Sequence, residues 1–333
     1  MSDKSKPKKM LFCSALDTTF IRDDYKILSS HFSLYKVISP GIKGLIKMLR
    51  YLSKIKLSFI WFASVHSGVI VFLSKLLGKK TIVSLGGFDV AKEKEIGYGI
   101  WNSWWRSLFV GYAIRNADYV FALSQGLKKS AINLAKCDNN HIEVLEFSYD
   151  DDFWHPGDIE KERFVLTVAN IDCELRIKVK GIDQLIKVAK LMSDVRFKLV
   201  GVSTNFIDSL QKKVPPNMKL IPSVNHRKLL HFYQKAKVYC QPSMNDTLPI
   251  TLREAMLCGC VPVGTDVGGI PEAIADTGCL VEYGNTGDLV KAIKYALNTD
   301  DRAGINCRKR ILEISTSNPR KKRLIEIVRK YIR

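Results

Sequence analysis

Two carboxylates, Asp246 and Glu254, lie eight residues apart where an apolar strand is followed by a predicted helix. A helix rises about 1.5 Å per residue, so the spacing predicts a separation of roughly 12 Å along the helix direction. That separation suits a sugar at one end and a ribose at the other, because ionised carboxylates accept hydrogen bonds from hydroxyl groups. A diphosphate between them would meet the unpaired N–H groups and positive dipole of the helix N-terminus. In the plainer alternative, Asp246 only caps the helix and Glu254 is an ordinary helical residue.

A candidate phosphate ligand lies upstream, in the segment Lys178-Val-Lys180-Gly181-Ile-Asp183. The lysine ammonium is a compact, mobile point charge that suits phosphate oxygens. Most lysines of a basic protein are solvated surface residues, and this is the alternative for Lys180. Its place after the first strand of a predicted nucleotide-binding domain favours the phosphate interpretation.

The segments 241–263 and 268–272 resemble the donor-binding signature of a large family of retaining GT-B glycosyltransferases, the glycosyltransferase family 4-like "glycosyl transferases group 1". The signature has an acidic residue and a later Glu, followed by Ala-Met, a small residue, Gly and a Pro-Val strand. The resemblance implies that Asp246 contacts the donor sugar, Glu254 the ribose hydroxyls and Lys180 the diphosphate. Lys180 and Asp246 are the implied catalytic residues. The implied donor-binding set is Lys180, Asp246, Thr247, Leu248, Glu254, Gly268, Gly269 and Glu272.

The chain departs from the family pattern at identifiable positions. Asp246 stands where Glu is usual, and Asn170 stands where an Arg commonly follows the first donor-domain strand, with Arg176 and Lys178 as candidate replacements. The amino-terminal half resembles the family more weakly, and there Gly86 stands in place of a usual His. The candidate residues on the acceptor side of the cleft are His66, Gly86, Gly87 and Asp89. For His66 the alternative is a structural histidine with satisfied hydrogen bonds.

The elements that would position these residues alternate between apolar strands and helices. In the first half, strands are predicted at 10–13, 36–38, 58–62, 81–84 and 119–123. In the second half, strands are predicted at 164–169, 197–202, 238–241 and 261–264, with helices at 181–191, 206–214 and 248–257. Such alternation predicts parallel sheets covered by helices, the α/β class. The resemblance makes this a GT-B fold, with two Rossmann-like doubly wound domains facing across a cleft.

The domain boundary is predicted in the acidic, irregular segment 148–157, which ends in Pro-Gly. We assign residues 1–152 to an acceptor-side domain and 153–315 to a donor domain. Residues 316–333 contain Asn318-Pro319, which has the form of a helix start, and the resemblance implies that this helix packs back on the first domain.

The composition of the 333 residues favours an anionic partner. The chain has 52 Lys and Arg residues but only 33 Asp and Glu residues, which gives a formal charge of +19. Nucleic acid, an anionic membrane and a phosphorylated small molecule all fit this charge. No zinc-finger spacing, basic-aromatic RNA-binding signature or basic coiled-coil region is present, so nucleic acid is not expected. Eight cysteines without a C-x-x-C pair and no apolar signal peptide predict a cytoplasmic protein without a metal site.

Two apolar segments of the first half allow alternative interpretations. In segment 41–56, an apolar stripe lies beside basic residues, which predicts an amphipathic helix for an anionic membrane surface or, alternatively, a helix packed on the sheet. The stripe is Ile42, Leu45, Ile46, Leu49 and Leu52, and the basic residues are Lys43, Lys47, Arg50 and Lys54. The second segment carries an aromatic cluster, for which core packing is favoured over an acceptor platform. Its members are Trp101, Trp104, Trp105, Leu108, Phe109 and Tyr112.

Together these features predict a cytoplasmic, retaining, hexosyltransferase-type glycosyltransferase, peripheral at the inner membrane face. Its expected donor is a nucleotide-diphosphate-sugar, and its acceptor is lipid-linked, a glycan or a small molecule. No cofactor or metal is expected, because Lys180 and helix N–H groups suffice to stabilise the leaving diphosphate. The alternatives are a GT-B-like sugar-nucleotide epimerase and a glycosyltransferase-like subunit without catalytic activity.

Overall fold

The computed structural model describes residues 9–147, 149–314 and 319–332. The chain divides into two compact units. The amino-terminal unit comprises Met1–Ser148 and Ser317–Arg333, and the carboxy-terminal unit comprises Tyr149–Thr316. Residues 315–318, which include the predicted helix start at Asn318, lie outside the described residues.

The amino-terminal unit is built on a parallel sheet whose strands alternate with helices. Its elements are β1 (Lys9–Ser14), α1 (Thr19–Ser29), β2 (Ser33–Ile38), α2 (Gly41–Leu52), β3 (Leu57–Trp61), α3 (Val65–Leu76), β4 (Lys80–Ser84), α4 (Trp104–Asn116), β5 (Tyr119–Ala122), α5 (Gln125–Ala135) and β6 (Ile142–Val144). The strand order is β2-β1-β3-β4-β5-β6. Because parallel strands are joined by right-handed crossovers, α2 to α5 cover one face of the sheet and α1 covers the other.

The carboxy-terminal unit has the same construction. Its elements are β7 (Glu162–Ile171), α6 (Glu174–Val179), α7 (Ile182–Leu191), β8 (Arg196–Val202), α8 (Thr204–Gln211), β9 (Met218–Pro222), α9 (His226–Lys235), β10 (Ala236–Gln241), α10 (Ile250–Leu257), β11 (Val261–Thr265), α11 (Ile270–Ile274), β12 (Cys279–Val281), α12 (Thr286–Leu297) and α13 (Asp301–Ile314). The strand order is β12-β11-β10-β7-β8-β9, and all pairs are parallel.

Each sheet has one point at which the strand order reverses. In the amino-terminal unit it lies between β1 and β3, and in the carboxy-terminal unit it lies between β7 and β10. Loops from adjacent strands turn away from each other there and leave a crevice at the carboxyl ends, where open α/β sheets bind ligands. The second reversal therefore places the loops after β7 and β10 side by side.

The core of the carboxy-terminal unit lies on both faces of its sheet. Phe164 and Leu166 of β7 belong to one buried apolar cluster, and Val165 between them belongs to the other. Successive strand residues point to opposite faces, so an uninterrupted apolar strand is the pattern of a sheet covered on both sides. The prediction of an α/β fold with two parallel sheets is confirmed.

The last helix, α14 (Pro319–Tyr331), belongs to the amino-terminal unit and packs against α1. Arg320 forms a two-pronged ion pair with Asp24, with nitrogen–oxygen distances of 3.1 and 2.6 Å, and both side chains are buried. The Arg320 guanidinium also donates to the Leu145 carbonyl and lies 4.4 Å from the centre of the Phe147 ring. A buried charge is tolerated here because its partner and hydrogen bonds are complete.

The structure corrects the predicted packing of α4. Trp104 and Leu108 are 77% and 61% exposed, and Trp105 and Phe109 are exposed as well. The helix buries its smaller residues, Val110, Gly111, Ala113 and Ile114. Because α3 and α4 approach closely, a Cβ atom on Gly68 would lie 2.7 Å from the Phe109 carbonyl oxygen. Core packing of these large residues was therefore a wrong prediction, since α4 turns its smaller residues to the interior and leaves the large ones in solvent.

The buried face of α2 also differs from its predicted apolar stripe. Gly44, Met48 and Leu52 are buried, whereas Ile42 and Ile46 are exposed. Gly44 centres the buried face because its missing side chain lets the helix approach Ser39, whose carbonyl oxygen would lie 2.1 Å from a Cβ atom. A prediction of the buried face from large apolar side chains alone overlooks that glycine.

The short strands β6, β9 and β12 were not predicted. β6 and β12 have three residues each, and β9, Met-Lys-Leu-Ile-Pro, is interrupted by a lysine. All three lie at or next to the end of a sheet. Such strands need few buried side chains, so their sequences carry a weak signal.

Candidate functional site

The loop between β10 and α10 contains Asp246, four residues before the helix begins at Ile250. The helix was predicted to begin at residue 248. The distance of roughly 12 Å assumed a continuous helix through Asp246, and it does not apply to an irregular loop. Pro249 holds the N-cap position of α10 and has no side-chain acceptor for the first N–H groups of the helix. Thr247 and Leu248 are half-buried in the same loop.

The carboxylate of Asp246 is held by two side chains. Its Oδ2 atom accepts from Lys180 Nζ at 2.6 Å and from Gln241 Nε2 at 2.5 Å. The Asp246 side chain is 9% exposed and that of Lys180 is 24% exposed. Gln241 is the last residue of β10, Asp246 lies in the loop after it, and Lys180 follows α6. The Lys180–Asp246 pair therefore joins the two loops at the reversal between β7 and β10. The structure thus brings the two predicted catalytic residues together.

Gly181 explains how Lys180 reaches Asp246. It has a φ of +63°, a left-handed conformation that suits glycine, and a Cβ atom there would lie 1.7 Å from the Pro242 carbonyl oxygen. The start of α7 therefore packs directly on the loop after β10. A backbone hydrogen bond from Met244 to the Val179 carbonyl, 2.9 Å long, secures the same contact.

The two glycines after β11 support the opposite side of the Asp246 loop. Gly268 has a φ of +59°, and a Cβ atom on it would lie 2.1 Å from the Asp246 carbonyl oxygen. A Cβ atom on Gly269 would lie 2.6 Å from the Thr247 carbonyl oxygen, and the Gly269 N–H donates to the Asp246 carbonyl at 2.9 Å. Glu272 follows in the short helix α11 and is half-buried. The diglycine is thus required by a close backbone contact.

Glu254 lies inside α10 and receives a hydrogen bond of 3.1 Å from the Tyr233 hydroxyl to its Oε2 atom. Burial raises the pKa of Glu254 to about 8, although the Tyr233 hydrogen bond acts in the opposite direction. A carboxyl group with this pKa is mostly protonated at neutral pH. It can then both donate a hydrogen bond to a hydroxyl group and accept one from it.

Asn170 is exposed at the carboxyl end of β7, where the family pattern has Arg. The two residues considered as its replacements lie on the helix α6. Lys178 is exposed and Arg176 is half-buried.

In the amino-terminal unit, Asp89 joins the loops that follow β3 and β4. Its carboxylate accepts from the N–H groups of Ala63, at 2.8 Å, and Gly86, at 2.9 Å, and the residue is 2% exposed. Burial raises the pKa of Asp89 to about 6. These contacts organise the backbone at the carboxyl end of the sheet. Gly87 is half-buried beside them. His66 lies on α3, where its Nε2 atom donates to the Gly41 carbonyl at 2.9 Å.

The ring of Phe62 occupies the space beside Gly86. A Cβ atom on Gly86 would lie 2.2 Å from the ring, and Phe62 itself has a φ of +69°, which is unusual for a residue other than glycine. The position at which the family often has His is therefore filled from a different loop of this chain.

Several residues of this arrangement were not singled out from the sequence. Gln241, Pro242 and Tyr233 contact Asp246, Gly181 and Glu254, respectively. For Gln241 the sequence offered one signal, which is a polar residue at the end of an apolar strand. Tyr233 and Phe62 gave none, because their partners are distant in the chain.

No group of three or more His, Cys, Asp or Glu side chains in the described ranges is arranged to hold a metal ion. Among the helices that the structure describes, none is long and apolar enough to cross a lipid bilayer.

Two six-stranded parallel sheets, one with an acid–lysine pair at its reversal point and a diglycine turn packed against the loop of that acid, define an α/β protein of the GT-B class. Residues 148–313 match the family model of glycosyl transferases group 1. This carboxy-terminal segment therefore belongs to that family.

Relatives by sequence include the alpha-maltose-1-phosphate synthase of Mycolicibacterium smegmatis, 26% identical over 235 residues, covering 60% of this chain and 60% of that protein. The GPI3 subunit of the phosphatidylinositol N-acetylglucosaminyltransferase of Saccharomyces cerevisiae is 25% identical over 219 residues, covering 61% and 48%. The chain thus spans less than two thirds of the length of either relative.

Solved structures extend the likeness over nearly the whole chain. Sucrose-phosphate synthase from Thermosynechococcus elongatus superposes with a TM-score of 0.79 at 15% identity, covering 97% of this chain and 98% of that one. Anabaena HepE in complex with UDP gives 0.73 at 13% identity, covering 97% and 98%. At these identities the likeness shows the fold, and the predicted GT-B fold is confirmed.

Proposed function

We propose that this chain is a retaining glycosyltransferase that moves a sugar from a nucleoside-diphosphate donor to a hydroxyl acceptor. The observation that carries the proposal is the Lys180–Asp246 pair, 2.6 Å apart, at the reversal point between β7 and β10. Family membership supports the reaction class. The binding of UDP and UDP-glucose by HepE, which shares the fold, supports the type of donor.

The geometry of the Lys180–Asp246 pair indicates how the donor binds. The Lys180 ammonium already neutralises a carboxylate oxygen of Asp246, and an arriving diphosphate offers that ammonium stronger, doubly charged partners. Asp246 is then able to accept hydrogen bonds from sugar hydroxyls while Gln241 keeps its carboxylate oriented. Glu254 takes the ribose hydroxyls, and the Gly268-Gly269 backbone and Glu272 line the donor site.

In the transfer step, the bond between the anomeric carbon and the diphosphate oxygen breaks while the acceptor oxygen bonds to the same carbon. The acceptor proton moves to the departing diphosphate oxygen on the same face, which retains the anomeric configuration. Lys180 and the first N–H groups of α10 stabilise the negative charge that develops on the diphosphate. We expect this step to require no metal, so turnover should persist in EDTA.

The test is a thermal-shift screen of the purified chain against nucleotide-sugars with different bases and sugars, because a ligand that binds only the native state raises the unfolding midpoint. The best donor is then incubated with lipid-linked, glycan and small-molecule acceptors, and nucleotide release and product linkage are measured. A product with inverted configuration, or free epimerised donor without an acceptor, would contradict the proposal. Binding of the donor without turnover on any acceptor would instead support a non-catalytic subunit.

A further inference from the structure

The outer surface of α4 carries a run of large apolar side chains that face solvent. Trp104, Trp105, Leu108 and Phe109 are all exposed, and Trp104 is the most exposed of them. Helix positions three and four apart are neighbours, so these side chains form one continuous patch along the first half of α4. Exposed patches of this kind on a folded protein mark interaction sites.

The patch continues onto α3. The two helices run alongside each other in the same direction, because Gly68 lies against Phe109, the Phe72 and Tyr112 rings meet edge to face at 6.0 Å, and Lys75 donates to Asn116 at 3.2 Å. On α3 and the residue that follows it, Phe72, Leu76 and Leu77 are exposed. The Phe72–Tyr112 contact therefore joins the apolar surfaces of the two helices.

Helix α2 extends this surface. It packs beside α3 on the same face of the sheet, and the His66–Gly41 hydrogen bond ties the starts of the two helices together. Its exposed side includes Ile42 and Ile46, and they lie next to the exposed side chains of Lys43, Lys47 and Arg50. The predicted basic amphipathic helix is thus present, with two of its apolar residues facing outward.

The charged side chains of these three helices all have one sign. The sequences of α2, α3 and α4 contain no Asp or Glu, but they contain Lys43, Lys47, Arg50, Lys75, Arg106 and Arg115. The Arg106 guanidinium lies 5.2 Å from the centre of the Trp105 ring, so basic and aromatic groups are interleaved. A second copy of the chain would oppose positive charge with positive charge on this face, which disfavours self-association through it.

Exposed tryptophans, aliphatic side chains and basic residues on neighbouring helices match the chemistry of an anionic membrane interface. Tryptophan partitions to the head-group region, leucine and phenylalanine enter the acyl boundary, and lysine and arginine attract acidic lipids. We propose that the outer face of α2, α3 and α4 docks the protein on an anionic lipid surface. Taken with the proposed transferase function, this docking points to an acceptor embedded in that surface.

The experiment is co-sedimentation of the full chain with vesicles of phosphatidylcholine alone and of phosphatidylcholine with phosphatidylglycerol, at low and high salt. We expect binding to the anionic vesicles that weakens as salt rises. Replacing Trp104, Leu108 and Leu76 by Ser should lower the partition coefficient at least tenfold. Replacing Lys43, Lys47 and Arg50 by Gln should lower it by about a hundredfold, on the basis of about 1 kcal/mol, or roughly fivefold, for each basic residue.

The matched control is Leu191→Ser with Ile305→Ser, because these exposed apolar residues belong to the carboxy-terminal unit. This control should bind vesicles as the wild type does. Since all the apolar substitutions are at exposed positions, unchanged thermal midpoints should show that the variants fold. Tryptophan fluorescence should shift to the blue on binding, and Trp104→Phe with Trp105→Phe should reduce that shift.

Equal binding to neutral and anionic vesicles, or wild-type binding by the Trp104, Leu108 and Leu76 variant, would overturn the docking surface. Concentration-dependent oligomers that this variant abolishes, without vesicle binding by the wild type, would assign the face to a protein partner instead. Vesicle binding is measured without a donor and nucleotide release without vesicles. A failure of this proposal is therefore distinguishable from a failure of the proposed function.

Discussion

Lys180 Nζ lies 2.6 Å from Asp246 Oδ2, although 66 residues separate the two in the chain. Gly181 and Gly268 make this pairing possible, because each lets a separate loop pack against the segment between β10 and α10. The ion pair is partly exposed to solvent. This is expected of two side chains that must separate from each other in order to bind a ligand.

We expect Lys180→Ala and Asp246→Ala each to reduce transfer by about tenfold to a hundredfold or more, since a charge-assisted hydrogen bond contributes about 1.5–3 kcal/mol. Both residues act on the same donor, so the double variant should lose less than the sum of the two effects. The measurement is kcat/KM with the donor found in the screen. Lys187→Ala, at an exposed position of α7, is the control and should keep wild-type activity. Wild-type turnover in both single variants would contradict the site assignment.

Gly181→Ala should lower both stability and donor affinity. A Cβ atom would collide with the Pro242 carbonyl oxygen and would also occupy a left-handed conformation, so the loop that carries Lys180 must move. Gly284→Ala is the control, because it has a positive φ but open space around it, and the strain alone costs about 1–2 kcal/mol. The thermal midpoint and donor Kd measure the two effects. If both variants behave alike, close packing is not the reason for Gly181.

The contribution of Glu254 to the free energy of unfolding should fall as pH rises. The pKa of this carboxyl is raised from 4.5 to about 8 by burial, so the folded state binds more protons than the unfolded state between those values. Stability relative to Glu254→Gln is therefore greatest below about pH 4.5 and declines progressively as pH rises towards 8. Denaturant unfolding of both proteins across this range measures the difference. A difference that does not change with pH would show that the carboxyl titrates normally.

Gly86 and Phe62 should be coupled. Gly86→Ala should destabilise the amino-terminal unit by about 1–3 kcal/mol, because the new Cβ atom overlaps the Phe62 ring. Phe62→Gly removes the ring, and glycine adopts the positive φ of this position without strain, so the double variant should recover part of the loss caused by Gly86→Ala. Equilibrium unfolding of the wild type, both single variants and the double variant gives the coupling energy. Additive effects would show that the ring moves aside freely.

Breaking the buried Arg320–Asp24 pair should weaken the packing of α14 on the amino-terminal unit. Arg320→Met or Asp24→Leu alone leaves a buried charge without its partner, which costs about 3–5 kcal/mol. The double variant should cost less than either single change, because no charge then remains buried. Chemical denaturation tests this order. Arg323→Met is the comparison, since its bond to Glu143 is partly exposed and its loss should cost about 1 kcal/mol or less.

The amino-acid sequence by itself determined the alternation of the longer strands and helices, because their apolar periodicity is a local property of the chain. It also determined the chemistry available at Lys180, Asp246 and the diglycine turn. These residues were identified from the neighbouring residues in short sequence motifs, and the family model matches the same region.

Only the tertiary structure decided which groups meet. Gln241 orients Asp246, Tyr233 contacts Glu254, and the Phe62 ring fills the space at Gly86. Each contact joins loops that follow different elements, so no local pattern encodes it. The exposure of Trp104 has a similar origin: an apolar helix face is buried only if a neighbour covers it, and the residues of α4 that become buried are Val110, Gly111, Ala113 and Ile114. Packing between elements, not the hydrophobicity of the residue, therefore determined which side chains face water.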